Sequence, residues 1–269
     1  MLDTSVNGRP SATALPIELR GLGKTFETKT GPVLAVGPVD LSLKAGEFVS
    51  IVGPSGCGKS TLLLMAAGLL SPTEGKVLVG GKELTKPLTE VGIVFQDDLL
   101  LEFRTTLDNV LLQSEIRRTP SKVEAMATAT DLLKQLGLGP ALHRYPNQLS
   151  GGMRQRAALA RALVHDPPIL LMDEPFGALD ALTRTQMRRD LEALWLARKK
   201  TVLFITHGVE EAVGLSDRVI VMSPSPGRIV DDITVDLPRP RPVELGDDRA
   251  YTEYADRIYQ IFKDYGVLR

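Results

Sequence analysis

One cysteine, a net charge of −1 and no apolar run long enough to cross a membrane are the shortages of this 269-residue sequence. Each excludes something. A lone Cys57 cannot form an intrachain disulfide, which fits a reducing compartment. A charge so close to zero gives no basic footprint, so no nucleic-acid partner is expected. The longest apolar run, residues 62–70, is about half of the roughly 20 residues that a spanning helix needs, and it reads as a buried helix. Residues 1–16 carry neither an apolar run nor an early basic cluster. Residues 1–15 are therefore expected to be a loose leader and not a secretory signal, and the protein to be cytoplasmic.

What is present is enough for a full core: 43% of the residues are hydrophobic and 24% charged, which suits one large domain with subdomains. No internal repeat is evident. Strands are predicted at residues 17–26, 40–43, 47–52, 75–79 and 91–95, and again at 169–172, 201–205, 218–222 and 229–237. A helix is predicted from Lys59 to residue 70, with others over 151–164, 182–197 and 250–265. Between Thr106 and Val164 the pattern changes: Val123, Met126, Leu132, Leu133 and Leu136 recur at helical spacing, the mark of a helical insertion. Strands alternating with helices imply an α/β fold with a mostly parallel, helix-covered sheet. Residues 238–242, alternating Pro and Arg, read as a stiff connector.

The chemistry is concentrated in a few blocks. Gly53, Pro54, Ser55, Gly56, Cys57, Gly58, Lys59, Ser60 and Thr61 lie between a predicted strand and a predicted helix. Glycines at that junction let backbone N–H groups converge on phosphate oxygens at a helix N-terminus. Lys59 should reach the β and γ phosphates, and Ser60 should ligate Mg²⁺. Cys57, at the helix start, is expected to favour its thiolate, to react with maleimide and to be shielded by MgATP. The apolar strand at 169–172 ends in Asp173 and Glu174, at the carboxyl edge where ligands bind in open α/β sheets. Asp173 would hold Mg²⁺, and Glu174 would orient and deprotonate the attacking water. Adjacent acids after an apolar strand are often only an exposed turn; behind a phosphate loop they are functional candidates. Ser150, Gly151 and Gly152 follow Leu149: a serine to cap a helix, and glycines that permit close backbone approach to an anion.

The order of these blocks resembles that of ATP-binding-cassette (ABC) ATPases, over nearly the whole chain from about Ile17. The resemblance implies an α/β P-loop NTPase with a parallel-sheet core, an N-terminal antiparallel β subdomain and a helical insertion. The implied ATPase domain covers 16–240, with the helical subdomain at about 97–164, and 241–269 form a C-terminal helical extension. Gln96 resembles the glutamine that contacts Mg²⁺ and the lytic water, and Leu149 to Gly152 resemble the signature sequence, which meets the γ-phosphate bound by the other subunit. Asp180, after Ala178 and Leu179, resembles the loop that crosses the dimer. His207 resembles the switch histidine at the γ-phosphate, and Phe26 falls where an aromatic stacks on adenine, though a core role is the other reading.

Within the family, the pattern is similar to that of ATPase subunits of importers for nitrate, sulfonates, taurine and related small solutes. The resemblance then implies ATP and Mg²⁺ as cofactors and a homodimer with two ATP molecules in its interface. Separate transmembrane permease subunits would dock near residues 96–109, with an extracytoplasmic solute-binding protein delivering the solute. The expected location is the cytoplasmic face of the inner membrane, as a peripheral subunit. Glu102 and Phe103 stand where Pro-Trp is common, and Gly208 where Asp is usual. The alternatives are a soluble ABC ATPase acting on nucleic acid or ribosomes, an importer ATPase for another solute, and a P-loop kinase or motor; the signature block and His207 speak against the last.

Overall fold

Two kinds of strand are present, and their sequences differ as one-sided and two-sided burial require. The computed structural model describes residues 12–118, 121–241 and 249–268. The chain opens with β1 (Ile17–Thr28) and β2 (Gly31–Leu43), then β3 (Phe48–Val52), the glycine loop and α1 (Lys59–Ala66). The strands β4 (Glu74–Val79), β5 (Lys82–Glu83) and β6 (Val91–Val94) precede three helices, α2 (Thr106–Ile116), α3 (Lys122–Gln135) and α4 (Gly151–Leu163). The last third runs β7 (Ile169–Asp173), α5 (Ala181–Arg198), β8 (Thr201–Ile205), α6 (Val209–Leu215), β9 (Arg218–Met222), β10 (Ile229–Thr234) and α7 (Arg249–Asp264).

Every residue of β3 and β8 is buried, as a strand covered on both faces must be, and these two pair in parallel at the centre of a six-stranded sheet ordered β10-β9-β3-β8-β7-β6. Only β10 runs antiparallel to its neighbour. The strands β2, β1, β4 and β5 form a separate antiparallel sheet, and β1 alternates buried and exposed residues over its first half. This is the expected fold class: a parallel core, an antiparallel N-terminal sheet and a helical insertion between β6 and β7. Under β8 the core holds a run of aromatic contacts, with Phe48 edge-on to Trp195 at 5.7 Å and Phe204 between Phe48 and Phe176. The amphipathic α7 buries Tyr251, Ala255, Ile258 and Phe262, which pack with residues of α6, β9 and β10.

Several expectations need correction. The helix from Lys59 stops at Ala66, because Gly68 takes φ +71 and a Cβ there would come within 2.9 Å of the Lys86 carbonyl oxygen. The strand expected at 40–43 is the end of a longer one, β2. Its glycines and prolines suggested turns, but β2 is an edge strand, where a missing N–H is tolerated. In α3 the buried face is Ala125, Ala129 and Leu133, while Val123 is 81% exposed, so the bulkier residues misled the periodicity. The helices α2 and α6 were not separately expected.

The connector at 238–242 is not a free spacer: Arg239 pairs with Glu192 at 2.9 Å and Asp217 at 3.0 Å and stacks on Trp195, and Arg241 is buried. Pro242 lies outside the described residues. Of the expected leader, residues 1–11 also lie outside them. Ala12 and Leu15 are bonded to the body, Ala12 N–H donating to Asp166 at 2.8 Å and the Leu15 carbonyl accepting from Thr201 Oγ1 at 2.7 Å.

Candidate functional site

The glycine loop sits between the end of β3 and the start of α1, at the carboxyl edge of the parallel sheet. Gly58 takes φ +99, and a Cβ on it would lie 2.5 Å from Val36 Cγ2, so only glycine fits between the loop and β2. Lys59 is 5% exposed and curls back, donating from Nζ to the carbonyls of Gly53 at 2.9 Å and Pro54 at 3.0 Å. Ser55, Gly56 and Ser60 are exposed on the loop, with Thr61 half-buried behind them. Cys57 departs from expectation. Its side chain is fully buried in the core with Leu62, and burial pushes its thiol up despite the nearby Lys59 charge, so neither the favoured thiolate nor the maleimide access exists in the folded chain.

Neighbouring strands bring the acids to the loop. The Ser60 hydroxyl donates to Asp173 Oδ1 at 3.1 Å across the tip of β7. Burial pushes the Asp173 carboxyl above its ordinary range, with the Glu174 charge adding to the effect and the Ser60 hydrogen bond opposing it. Glu174 adopts φ +45, a sparsely populated conformation for a residue with a side chain, and it is held there by its N–H donating to the Ile205 carbonyl at 2.9 Å. This turns its carboxylate toward the end of β8, where His207 Nδ1 lies 3.2 Å from Glu174 Oε2. Gln96 is exposed just past β6, whose Val94 pairs with Met172 of β7, so Gln96 and the two acids emerge from adjacent strand ends.

The signature residues are built as expected but stand apart from the loop. Ser150 caps α4, its Oγ accepting from the Met153 N–H at 3.3 Å, and its side and that of Gly151 are open. Gly152 abuts α5, where a Cβ would fall 2.6 Å from Thr183 Cγ2. Among the described residues no hydrogen bond joins residues 150–152 to residues 53–61. Asp180 is exposed and caps α5 through Thr183, whose hydrogen bonds hold its carboxyl below the ordinary range. Phe26 is 38% exposed on the β1–β2 hairpin, outside the core, so the core reading of that position does not hold.

Sequence reading missed Arg154 and Arg161. Arg154 Nε donates to Asp98 at 2.9 Å and Arg161 to the Asp98 and Leu99 carbonyls at 2.6 Å, clasping the loop of Gln96 to the signature helix. Their separation of two helical turns on α4 was the available signal.

The site fits a magnesium nucleotide. Gly56, at φ +77, has nothing within 4 Å of where a Cβ would stand, so the loop is open there, and Ser60 with Asp173 offers two hard oxygen donors side by side. Among the described residues no three His, Cys, Asp or Glu side chains gather to hold a metal by themselves.

Comparison with known proteins agrees with this geometry. The sequence model described as ABC transporter matches residues 36–177. The nitrate transport protein NasD of Klebsiella oxytoca is 43% identical over 90% of this chain and 94% of that protein. The taurine import ATP-binding protein TauB of Roseobacter denitrificans is 47% identical over 79% of this chain and 80% of that protein. Among solved structures, the dimeric post-hydrolysis state of the ATP-binding cassette MJ0796 bound to ADP and Pi superposes with a TM-score of 0.75 at 34% identity, covering 81% of this chain and 98% of that one. With a family model matched over residues 36–177 and relatives that align along most of its length, the chain belongs to the ABC transporter ATP-binding family and is an ATPase.

Proposed function

We propose that this chain is the ATP-hydrolysing subunit of a membrane importer for small anions of the nitrate or sulfonate kind. The observation that carries the reading is the pairing of Ser60 with Asp173 and of His207 with Glu174 at adjacent strand ends beside a phosphate loop. Relatives named for nitrate transport and taurine import support the solute class. Among the described residues no helix is long and apolar enough to cross a membrane, so the permease would be a separate chain, docking near residues 96–109 where Leu99 and Phe103 are exposed. A solute-binding protein would deliver the solute, and the subunit would work on the cytoplasmic face.

The chemistry follows from the side chains. Lys59, now on the loop's own carbonyls, would transfer its charge to the β and γ phosphates, with the loop N–H groups facing the same oxygens. Ser60, Asp173 and Gln96 would hold Mg²⁺, which neutralises phosphate charge when bound. Glu174 Oε2 is engaged by His207, which leaves Oε1 to orient water and take its proton. His207 would meet the γ-phosphate, and Phe26 the adenine ring. Ser150, Gly151 and Gly152, which among the described residues make no hydrogen bond to the loop of their own chain, would complete the site of a second copy, whose approach Asp180 would report. Loss of the γ-phosphate then lets the dimer open and drives the permease.

Glu174→Gln tests this. The variant should lose about 10²- to 10⁴-fold in turnover, keep ATP binding, and run as a stable dimer on sizing chromatography with MgATP. Adding Ser150→Arg should return it to monomer. Hydrolysis at the parent rate, or a trapped dimer that survives Ser150→Arg, would sink the composite site.

A further inference from the structure

Glu211 is a buried carboxylate in the first turn of α6, and its two oxygens are shared between two loops. Oε2 accepts from the hydroxyl of Thr206, the residue just before His207. The same hydroxyl accepts from the N–H of Gly208 at 2.9 Å, so both neighbours of His207 are tied to one atom. Oε1 faces Arg184 Nε at 3.5 Å, and Arg184 Nη2 donates to the carbonyl of Leu179 at 3.1 Å, the residue just before Asp180. Arg184 Nε makes no hydrogen bond among the described residues, so the His207 loop and the Asp180 loop are linked through this acid by an ion pair at 3.5 Å. Gly208 gives this acid its place: a Cβ there would lie 3.0 Å from Glu211 Cδ, and a carboxylate there would add a like charge beside it.

A buried carboxylate is expensive to desolvate and is retained only where its partners compensate. An apolar residue would fill the space beside α5 and α6 without binding either loop. The α6 N-terminus and Arg184 together stabilise the charge, and what the charge connects is the switch histidine on one side and the interface loop on the other.

We infer that Glu211 is a positioning residue that locks the His207 loop and the 179–180 loop into one unit, so that a displacement of either is felt by the other. The inference rests on the proposed ATPase dimer. It assigns to Glu211 and Arg184 the coupling between γ-phosphate contact and subunit contact, with neither touching nucleotide.

The purified full chain serves for the test, with Glu211→Gln, Arg184→Met and the double variant. Glu211→Gln keeps an acceptor for Thr206 and loses only the charge; Arg184 is partly exposed, so its replacement leaves folding intact. Each single variant should lower kcat by about five- to twentyfold, with KM and the melting temperature close to the parent's, and should bring the Hill coefficient for ATP toward one. The double variant should be no slower than the slower single one, because both remove the same link. Arg184→Lys, which keeps a charge for Glu211, should recover part of kcat. Normal kcat and Hill coefficient in the singles, or losses that multiply in the double and track the melting temperature, would overturn the inference. If Glu174→Gln traps the dimer while the Glu211 variants are kinetically normal, the inference alone has failed; if it traps none, the proposed function fails with it.

Discussion

Lys59 and Arg241 are cations buried to nearly the same degree, 5% and 6% exposed, and both donate to main-chain carbonyls with no carboxylate partner for the charged group among the described residues. The carbonyls differ in origin. Lys59 bonds Gly53 and Pro54, within its own loop. Arg241 bonds Val213 and Ser216 at the end of α6, both at 2.6 Å, and Val235 and Leu237 after β10, knitting segments far apart in sequence. The α6 carbonyls are also the negative end of a helix dipole. Burial, with Arg239 beside it, lowers the Arg241 guanidinium to about 10, still charged at neutral pH. A buried cation whose two terminal nitrogens are held by distant segments, though its Nε has no partner among the described residues, is part of the architecture. One that only holds its own loop can let go when a stronger anion arrives.

Replacing each cation by an isosteric apolar side chain separates the two roles. Lys59→Met should abolish ATP turnover in a steady-state assay and weaken nucleotide binding, while the unliganded protein melts at or above the parent temperature. Near-normal hydrolysis would place Lys59 with Arg241 as a structural cation. Arg241→Met should behave in reverse. It strands four carbonyls, which at the lower end of charged hydrogen-bond strengths removes about 6 kcal/mol, or about 12–24 °C in melting temperature for a domain of this size. Activity per folded molecule should be retained at low temperature.

The smallest effect concerns the acid that shares the Lys59 site. Because burial raises the Asp173 carboxyl, its ionised form opposes folding: the penalty is absent at low pH and appears as pH rises through the raised value. Asp173→Asn should therefore stabilise the unliganded chain at neutral pH, a gain that vanishes in acid, while Mg²⁺-dependent turnover is lost. Calorimetry without nucleotide at two pH values checks it; destabilisation at neutral pH would show the carboxylate to be structural.

The same contrast explains what the sequence could disclose. The phosphate loop, Asp173-Glu174 and Ser150 were readable because backbone chemistry fixes both residue type and spacing: glycine where φ is positive, a hydroxyl where a helix begins. Arg239 and Arg241 were not, because nothing local marks an arginine whose acceptors arrive from residues 192 and 213–217. Proline-arginine alternation looks solvated until those partners are in place. Cys57 shows the limit of spacing from the other direction: its position at a helix start was legible, but the direction of its side chain into the core was not. The clasp of Arg154 and Arg161 on the loop of Gln96 was half legible, as two arginines on one helix face without a visible target.

The helix α4 closes the crossover from β6 to β7, and its first residue follows Ser150. It is a rod of 13 residues, about 20 Å long at 1.5 Å per residue. Its buried side, from Gln155 to Ala162, packs on α2, α3 and β6, so the rod and the helical insertion move together as one lever. A tilt of about ten degrees at the base would swing the Ser150 tip by about 3 Å, the reach of a hydrogen bond. The arginines that clasp the loop of Gln96 lie along the same rod, so whatever pulls on that loop turns the lever. In the proposed dimer, a side chain at a strand end would therefore make or break a contact in the second copy without the sheet itself moving.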